Sequence, residues 1–144
     1  MCWVRVWINA VFTAKNRMPL IHQDFRKKLF DHIKENSKEK GIMLVEVNGF
    51  EEHFHCLIAL NKDMSISKTM QLIKGESSHW INKNNLCTKE FMWQDDYWAV
   101  RVSESHVRSV QKYIQNQEQH HTKKKFKEEI DTFMHKYGWT WQNN

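Results

Sequence analysis

"IMLVEVNGFEEHFHCLIAL", residues 42–60, is the stretch on which the fold turns. Its first part, "IMLVEV" over 42–47, reads as an apolar strand, and Asn48-Gly49 is the strongest hairpin signal in the chain. The second part then returns as an antiparallel strand. Alternate side chains of a strand point to opposite faces. Phe54, Cys56, Ile58 and Leu60 therefore share one face, and His53, His55, Leu57 and Ala59 the other. The first set has the character of core. The second opens with two imidazoles side by side, near enough to hold one ion or one anion.

Working outward, "CWVRVWINAVF" over 2–12 alternates Val4, Val6, Ile8, Ala10 and Phe12 against Trp3, Arg5, Trp7 and Asn9, which predicts a half-buried strand. Phe25, Leu29 and Ile33 recur at four-residue spacing in a helix over about 22–40 that Gly41 ends. Ser65 caps a second helix with Ile66, Met70, Ile73, Ser77 and Trp80 on one stripe; Gly75 inside it suggests a close backbone approach. "YWAVRVS" over 97–103 alternates again, and Ser103 with Glu104 starts a third helix. A last helix carries Phe126, Ile130, Phe133 and Tyr137 before Gly138.

The order β-α-β-β-α-β followed by two helices predicts an α+β, ferredoxin-like (split βαβ) antiparallel sheet with helices on one face. The first and third strands would lie at its centre. The opposite face would show Trp3, Arg5, Trp7 and Asn9 beside His53 and His55, with Tyr97 and Arg101 further out, and the extra helix could lie over it. A length of 144 residues fits one domain, 1–144, and four glycines and one proline leave no room for a flexible linker. No apolar run spans a membrane, no basic leader with a cleavage site opens the chain, and Cys2, Cys56 and Cys87 form no pairing or zinc spacing. A reducing, cytoplasmic setting is expected. The net charge of +5 tilts modestly towards an anionic partner.

The third helix reads "SESHVRSVQKYIQNQEQHH", in which Val107, Val110 and Ile114 form an apolar stripe and Tyr113 and Gln117 stand i, i+4 apart on an adjoining face. If that face lies on the strand histidines, His53, His55 and Gln117 make a three-ligand site with open positions, and Tyr113 stands beside it. Such a set suits a divalent metal acting on a phosphate. A phenol, with a pKa of about 10, attacks poorly until the charge near it is offset.

"VFTAKNRMPLI", "EVNGFEEHFHCLI", "MSISKTMQLIKGESS", "WQDDYWAVRVSES" and "VQKYIQNQEQHH" occur in order over about four-fifths of the chain. Together they resemble the small single-tyrosine HUH transposases of insertion sequences and their REP-associated relatives. The resemblance implies His53, His55 and Gln117 as ligands of Mg²⁺ or Mn²⁺, and Tyr113 as the nucleophile. It implies attack on single-stranded DNA beside a hairpin, giving a 5′-phosphotyrosine link and a free 3′-OH, with later rejoining and no need of ATP. It also implies a homodimer in which the tyrosine helix can serve the partner's histidines. The chain departs from the family pattern at Glu52, where aspartate is usual, and at Trp98, where glycine is usual.

The residues also allow plainer readings. A histidine pair at i, i+2 is ordinarily polar surface, and a tyrosine and a glutamine on a helix are ordinarily packing and solvent. His120 and His121 suit a helix end, although His121 could approach the metal; Lys123, Lys124 and Lys125 suit a solvated turn. Tyr97 and Tyr137 are rival phenols, the second on an apolar stripe, and Trp139 and Trp141 could seal the core or a dimer. Lys15, Arg17, Lys74 and Arg101 flank the expected site and are the candidate phosphate contacts. The chief alternative is a non-catalytic module that binds single strands by stacking on Trp3, Trp7 and Tyr97. A zinc hydrolase is disfavoured because the helical His pair with glutamate is absent.

Overall fold

A computed structural model describes residues 3–117 together with 128, 131, 132, 135 and 136. Its strands are β1 (Trp7–Ala14), β2 (Met43–Gly49), β3 (His53–Ala59) and β4 (Trp93–Val102). Its helices are α1 (Gln23–Glu39), α2 (Ile66–Lys83) and α3 (Val107–Gln115). The antiparallel sheet has the order β2-β3-β1-β4, so the fold is α+β and ferredoxin-like, with β1 and β3 at the centre. Of the expected last helix, Glu128, Asp131, Thr132, His135 and Lys136 are helical and exposed. Its apolar stripe (Phe126, Ile130, Phe133 and Tyr137) lies outside the described residues. So do Cys2, His120, His121, Lys123, Lys124, Lys125, Gly138, Trp139 and Trp141.

The main core lies between the sheet and α1 and α2. Ile8, Ala10 and Phe12 of β1 and Phe54, Cys56 and Ile58 of β3 meet Phe25, Leu29 and Ile33 of α1 and Met70, Ile73 and Ile81 of α2. An aromatic group locks its centre: Phe54 stands 4.7 Å from both Phe12 and Trp93, and Phe91 4.6 Å from Trp93, all edge to face. Each such pair adds about 0.5–1.5 kcal/mol beyond the area buried. The Trp93 indole N–H donates to Ser77 Oγ at 2.8 Å, so the ring is buried with its polar atom satisfied.

A second, smaller cluster covers the other face. There α3 sets Val110 and Ile114 on Leu57 and Val102, with Trp7, Val45, Trp98, Val107 and Tyr113 around them. β1 and β3 are thereby buried on both sides. Asn9, paired with Leu57 and Val100, is fully buried on this face, and its amide has no hydrogen-bond partner among the described residues.

Four details differ from the sequence reading. β1 begins at Trp7 rather than at residue 2, and Trp3 stands 79% exposed outside the sheet. Directly opposite residues share a face, and the register Phe12↔Tyr97 and Ile8↔Arg101 puts Tyr97 and Arg101 on the side of α1 and α2; Trp98, Val100 and Val102 take the histidine side. Asn48 and Gly49 are the last residues of β2, and the hairpin turns at Glu51-Glu52, closed by Phe50 N–H donating to His53 O at 2.9 Å. A Cβ on Gly49 would come within 2.2 Å of His53 O and 2.6 Å of Phe54 Cα, so glycine is required by close approach. Finally, a 3-10 turn (Glu104–His106) separates Ser103 from α3, and the Ser103 hydroxyl contacts the side chains of Ser105 and His106 rather than capping the helix.

The helix signals otherwise hold. Ser65 Oγ accepts from Lys68 N–H at 3.1 Å, and Gly41 leaves α1 with φ +75°. Gly75 is the exception, because a Cβ there would meet nothing within 4 Å. The two glycines should therefore respond oppositely. Gly75→Ala is expected to stabilise the fold by about 0.5–1 kcal/mol, and Gly49→Ala to destabilise it by about 1–3 kcal/mol, both read from denaturant midpoints. Asn9→Val, which removes the buried unsatisfied amide and favours strand, is expected to add about 1 kcal/mol; a loss of stability would show that the amide has a partner in solution.

Candidate active site

β3 is the element that builds the site. In its register His53 faces Thr13, and His55 faces Val11 on one side and Asn48 on the other. Both histidines are fully buried, with ring centroids 5.3 Å apart. α3 brings Tyr113 over them: its half-buried ring packs edge to face on His55 at 5.6 Å, within the same chain. The helix ends at Gln115, the backbone breaks at Asn116 (φ −100°, ψ 25°), and Gln117 follows the break fully buried. Its Oε1 lies 3.1 Å from His53 Nε2, and its Nε2 donates to the Tyr113 carbonyl at 3.4 Å.

His53 is held at both ring nitrogens, because Nδ1 lies 3.1 Å from Glu52 Oε1. Both neighbours are acceptors. A neutral imidazole carries one N–H and can satisfy only one of them. The contact is satisfied by a metal ion between His53 and Gln117, or by the opposite orientation of the Gln117 amide with its N–H donating to the ring. The spacing suits the metal. Two adjacent ligands of an octahedral ion bound at about 2.1 Å stand about 3.0 Å apart, against the 3.1 Å between Nε2 and Oε1. Glu52, longer than the aspartate usual in the resembled family, still reaches Nδ1, the contact that commonly orients a ligating histidine.

The donor set is two imidazoles and an amide oxygen. Among the described residues no group of three or more His, Cys, Asp or Glu side chains could hold a metal, and the oxygen facing His53 belongs to Gln117. Cys56 sits on the opposite, core face of β3, and burial pushes its thiol well above the ordinary range, away from thiolate chemistry. Cys56 is therefore no ligand of this site. Two imidazoles and an amide oxygen are a donor set able to hold a divalent ion with positions left open.

The four expected phosphate contacts divide. Lys15 and Arg17 form an exposed 3-10 turn directly after β1, at the end of the sheet where Thr13 pairs with His53. Asn16 and Arg17 there take left-handed φ values of 59° and 53°, a strain of the kind that gathers at functional loops. Arg101 faces away from the histidines and sits opposite Ile8, about 17 Å along β1 from Thr13 at the usual rise per residue. Lys74 is also on the far face. Its Nζ donates to the Gln94 and Asp95 carbonyls at 2.6 and 2.8 Å, tying α2 to β4. Burial lowers its pKa, with Asp95 and Asp96 pulling the other way.

Two side chains of β2 escaped the sequence reading. Asn48 Nδ2 donates to the Gln115 carbonyl at 3.0 Å, and Glu46 Oε2 accepts from Gln111 and Gln115 at 3.3 and 3.0 Å. Their signal is the doubled count at Leu44/Glu46, where a bulge turns both to the α3 side.

Comparison with known proteins agrees with this architecture. The family model for IS200-like transposases matches residues 2–117. The ISDra2 transposase TnpA of Deinococcus radiodurans is 21% identical over 114 residues, covering 76% of this chain and 81% of that protein. A crystal structure of a candidate transposase from Deinococcus radiodurans R1 superposes with a TM-score of 0.64 at 19% identity, over 81% of this chain and 93% of the other. A REP-associated tyrosine transposase bound to a REP hairpin gives a TM-score of 0.56 at 19% identity, over 81% of this chain and 68% of that one. With the family match running from the first strand through Gln117, the chain belongs to the IS200-like transposase family.

Proposed function

We propose that this transposase cuts and rejoins single-stranded DNA beside a hairpin, with Tyr113 as nucleophile and His53, His55 and Gln117 as the ligands of Mg²⁺ or Mn²⁺. The observation that carries the reading is the packing of the Tyr113 ring on His55 while Gln117 faces His53. Tyr113 Oη attacks the scissile phosphorus and loses its proton. The bond to the 3′ oxygen breaks, that oxygen leaves as a 3′-OH, and the 5′ phosphate stays on the tyrosine. Attack by a 3′-OH reverses the step, and the ester retains the bond energy. The divalent ion, when bound, supplies Lewis-acid charge on the phosphate oxygens. His53, His55 and Gln117 would hold it, Glu52 fixes the ring of His53, and α3 keeps the phenol beside the histidines.

The hairpin substrate is supported by the REP-bound neighbour. A homodimer remains part of the proposal. So does action in the cytoplasm; among the described residues no helix is long and apolar enough to cross a membrane. The tyrosine lies beside its own chain's histidines, which favours action in cis for this arrangement. The alternative, a stacking module on an open sheet, has little to support it: Trp7 and Trp98 are covered by α3, Trp7 Nε1 is bound to Glu104 at 2.6 Å, and Tyr97 is on the far face.

Incubation with hairpin-bearing single strands and Mn²⁺, followed by denaturation, is expected to yield a DNA–protein adduct. Tyr113→Phe should reduce it to background with strand binding intact, and His53→Ala should remove its metal dependence. An adduct that persists in Tyr113→Phe would move the nucleophile elsewhere. Lys15→Glu with Arg17→Glu should weaken strand binding and lower the slope of log K against log salt by about 1.4, the value for two lost phosphate contacts. Lys74→Met should leave that slope unchanged and reduce stability. The reverse pattern would put the strand on the far face.

A further inference from the structure

We infer that Asn48 and Glu46 form a clasp that sets the position of Tyr113 and Gln117, and are positioning residues for the reaction. The inference rests on the catalytic reading above. α3 has nine residues, too few to be stable alone. Its apolar seat sets Val110 and Ile114 on Leu57 and Val102, with Trp7, Val45, Trp98, Val107 and Tyr113 around them. Burial of this kind is non-directional, so a small rotation or slide of the helix would keep most of it. A metal site has no such latitude, since ligand distances hold to a few tenths of an ångström.

The polar contacts supply the missing register. Asn48 stands beside His55 in the ladder, and its Nδ2 donates to the Gln115 carbonyl, one of the end groups a helix leaves without an internal partner. Glu46 receives Gln111 and Gln115, one turn apart on a single face of α3. Its other oxygen lies 3.7 Å from Lys34 Nζ, so the carboxylate links α1 to α3 around the sheet edge. The backbone break at Asn116 follows directly, and Gln117 then reaches His53. The clasp thus grips the last fixed point before the ligand, and it stands on the strand paired with the two histidines.

Asn48→Asp tests this with little change of shape. The retained Oδ1 can still accept from Gly49 N–H, a bond of 2.9 Å, but an oxygen now faces the Gln115 carbonyl. The unfolding midpoint should stay near that of the parent protein. Mn²⁺ affinity, measured by titration calorimetry without DNA, should fall about 10–100-fold, the range for lost outer contacts of a metal site. Amide exchange at residues 111–117 should accelerate, and excess Mn²⁺ should restore adduct formation. Glu46→Gln should shift the same readouts less. Parent-like Mn²⁺ affinity and exchange in Asn48→Asp would overturn the clasp. Failure of the catalytic reading is separable, because there His53→Ala would also bind Mn²⁺ like the parent protein.

Discussion

The site depends on one imidazole pressed between two oxygens. His53 meets Glu52 through Nδ1 and Gln117 through Nε2, each at 3.1 Å, with no water-exposed surface to relieve it. A buried polar group is costly unless it is satisfied, and a neutral ring cannot satisfy both neighbours. A cation seated between Nε2 and Oε1, as proposed above, would satisfy both. A ligand histidine needs only its ion, and Glu52 becomes the acceptor that keeps the Nε2 lone pair aimed inward.

The sheet divides labour between its faces. On the side of α1 and α2 lie the aromatic group and the larger core, where Trp93, Ser77 and Lys74 close every polar contact noted above. On the α3 side the apolar cluster is small, Asn9 is buried without a partner among the described residues, and the histidines face a helix held largely by polar bonds at its end. Most of the packing lies on the first face, and the proposed chemistry on the second. This is the usual trade: groups needed for reaction are kept at some expense to packing.

The sequence made the architecture legible because its periods were unambiguous. β3 alternates between core residues and histidines, α1 and α2 carry clear stripes, and Ser65 and Gly41 act as their chemistry requires. It was less informative where both strand faces are apolar. β4 offers Tyr97 and Trp98, Arg101 and Val102 in alternation, and only the pairing Phe12↔Tyr97 decides which set faces the histidines. Arg101, on β4, shares this ambiguity, whereas Lys74 lies on α2 and is drawn to the far face by the Gln94 and Asp95 carbonyls. A glycine's neighbours across the fold are invisible in its own segment: Gly49 is crowded by β3, and Gly75 opens to space.

The bulge in β2 was the least legible feature and bears most directly on the site. Strict alternation from Leu44, paired with Ile58, would set Glu46 against Cys56 on the core face and bury a carboxylate among apolar side chains. One extra residue corrects this. Val47 takes the place opposite Cys56 and is buried, while Glu46 moves opposite Leu57 and Asn48 opposite His55. A single added residue thus returns an apolar group to the core and turns two polar ones towards the end of α3. Local preference for "IMLVEV" as a strand holds with or without the bulge. The bulge is selected by the tertiary structure, by the cost of a buried Glu46 on one side and the hydrogen bonds available from α3 on the other. Local periodicity is therefore blind to the residues that align the helix, even though it finds the helix and the histidines themselves.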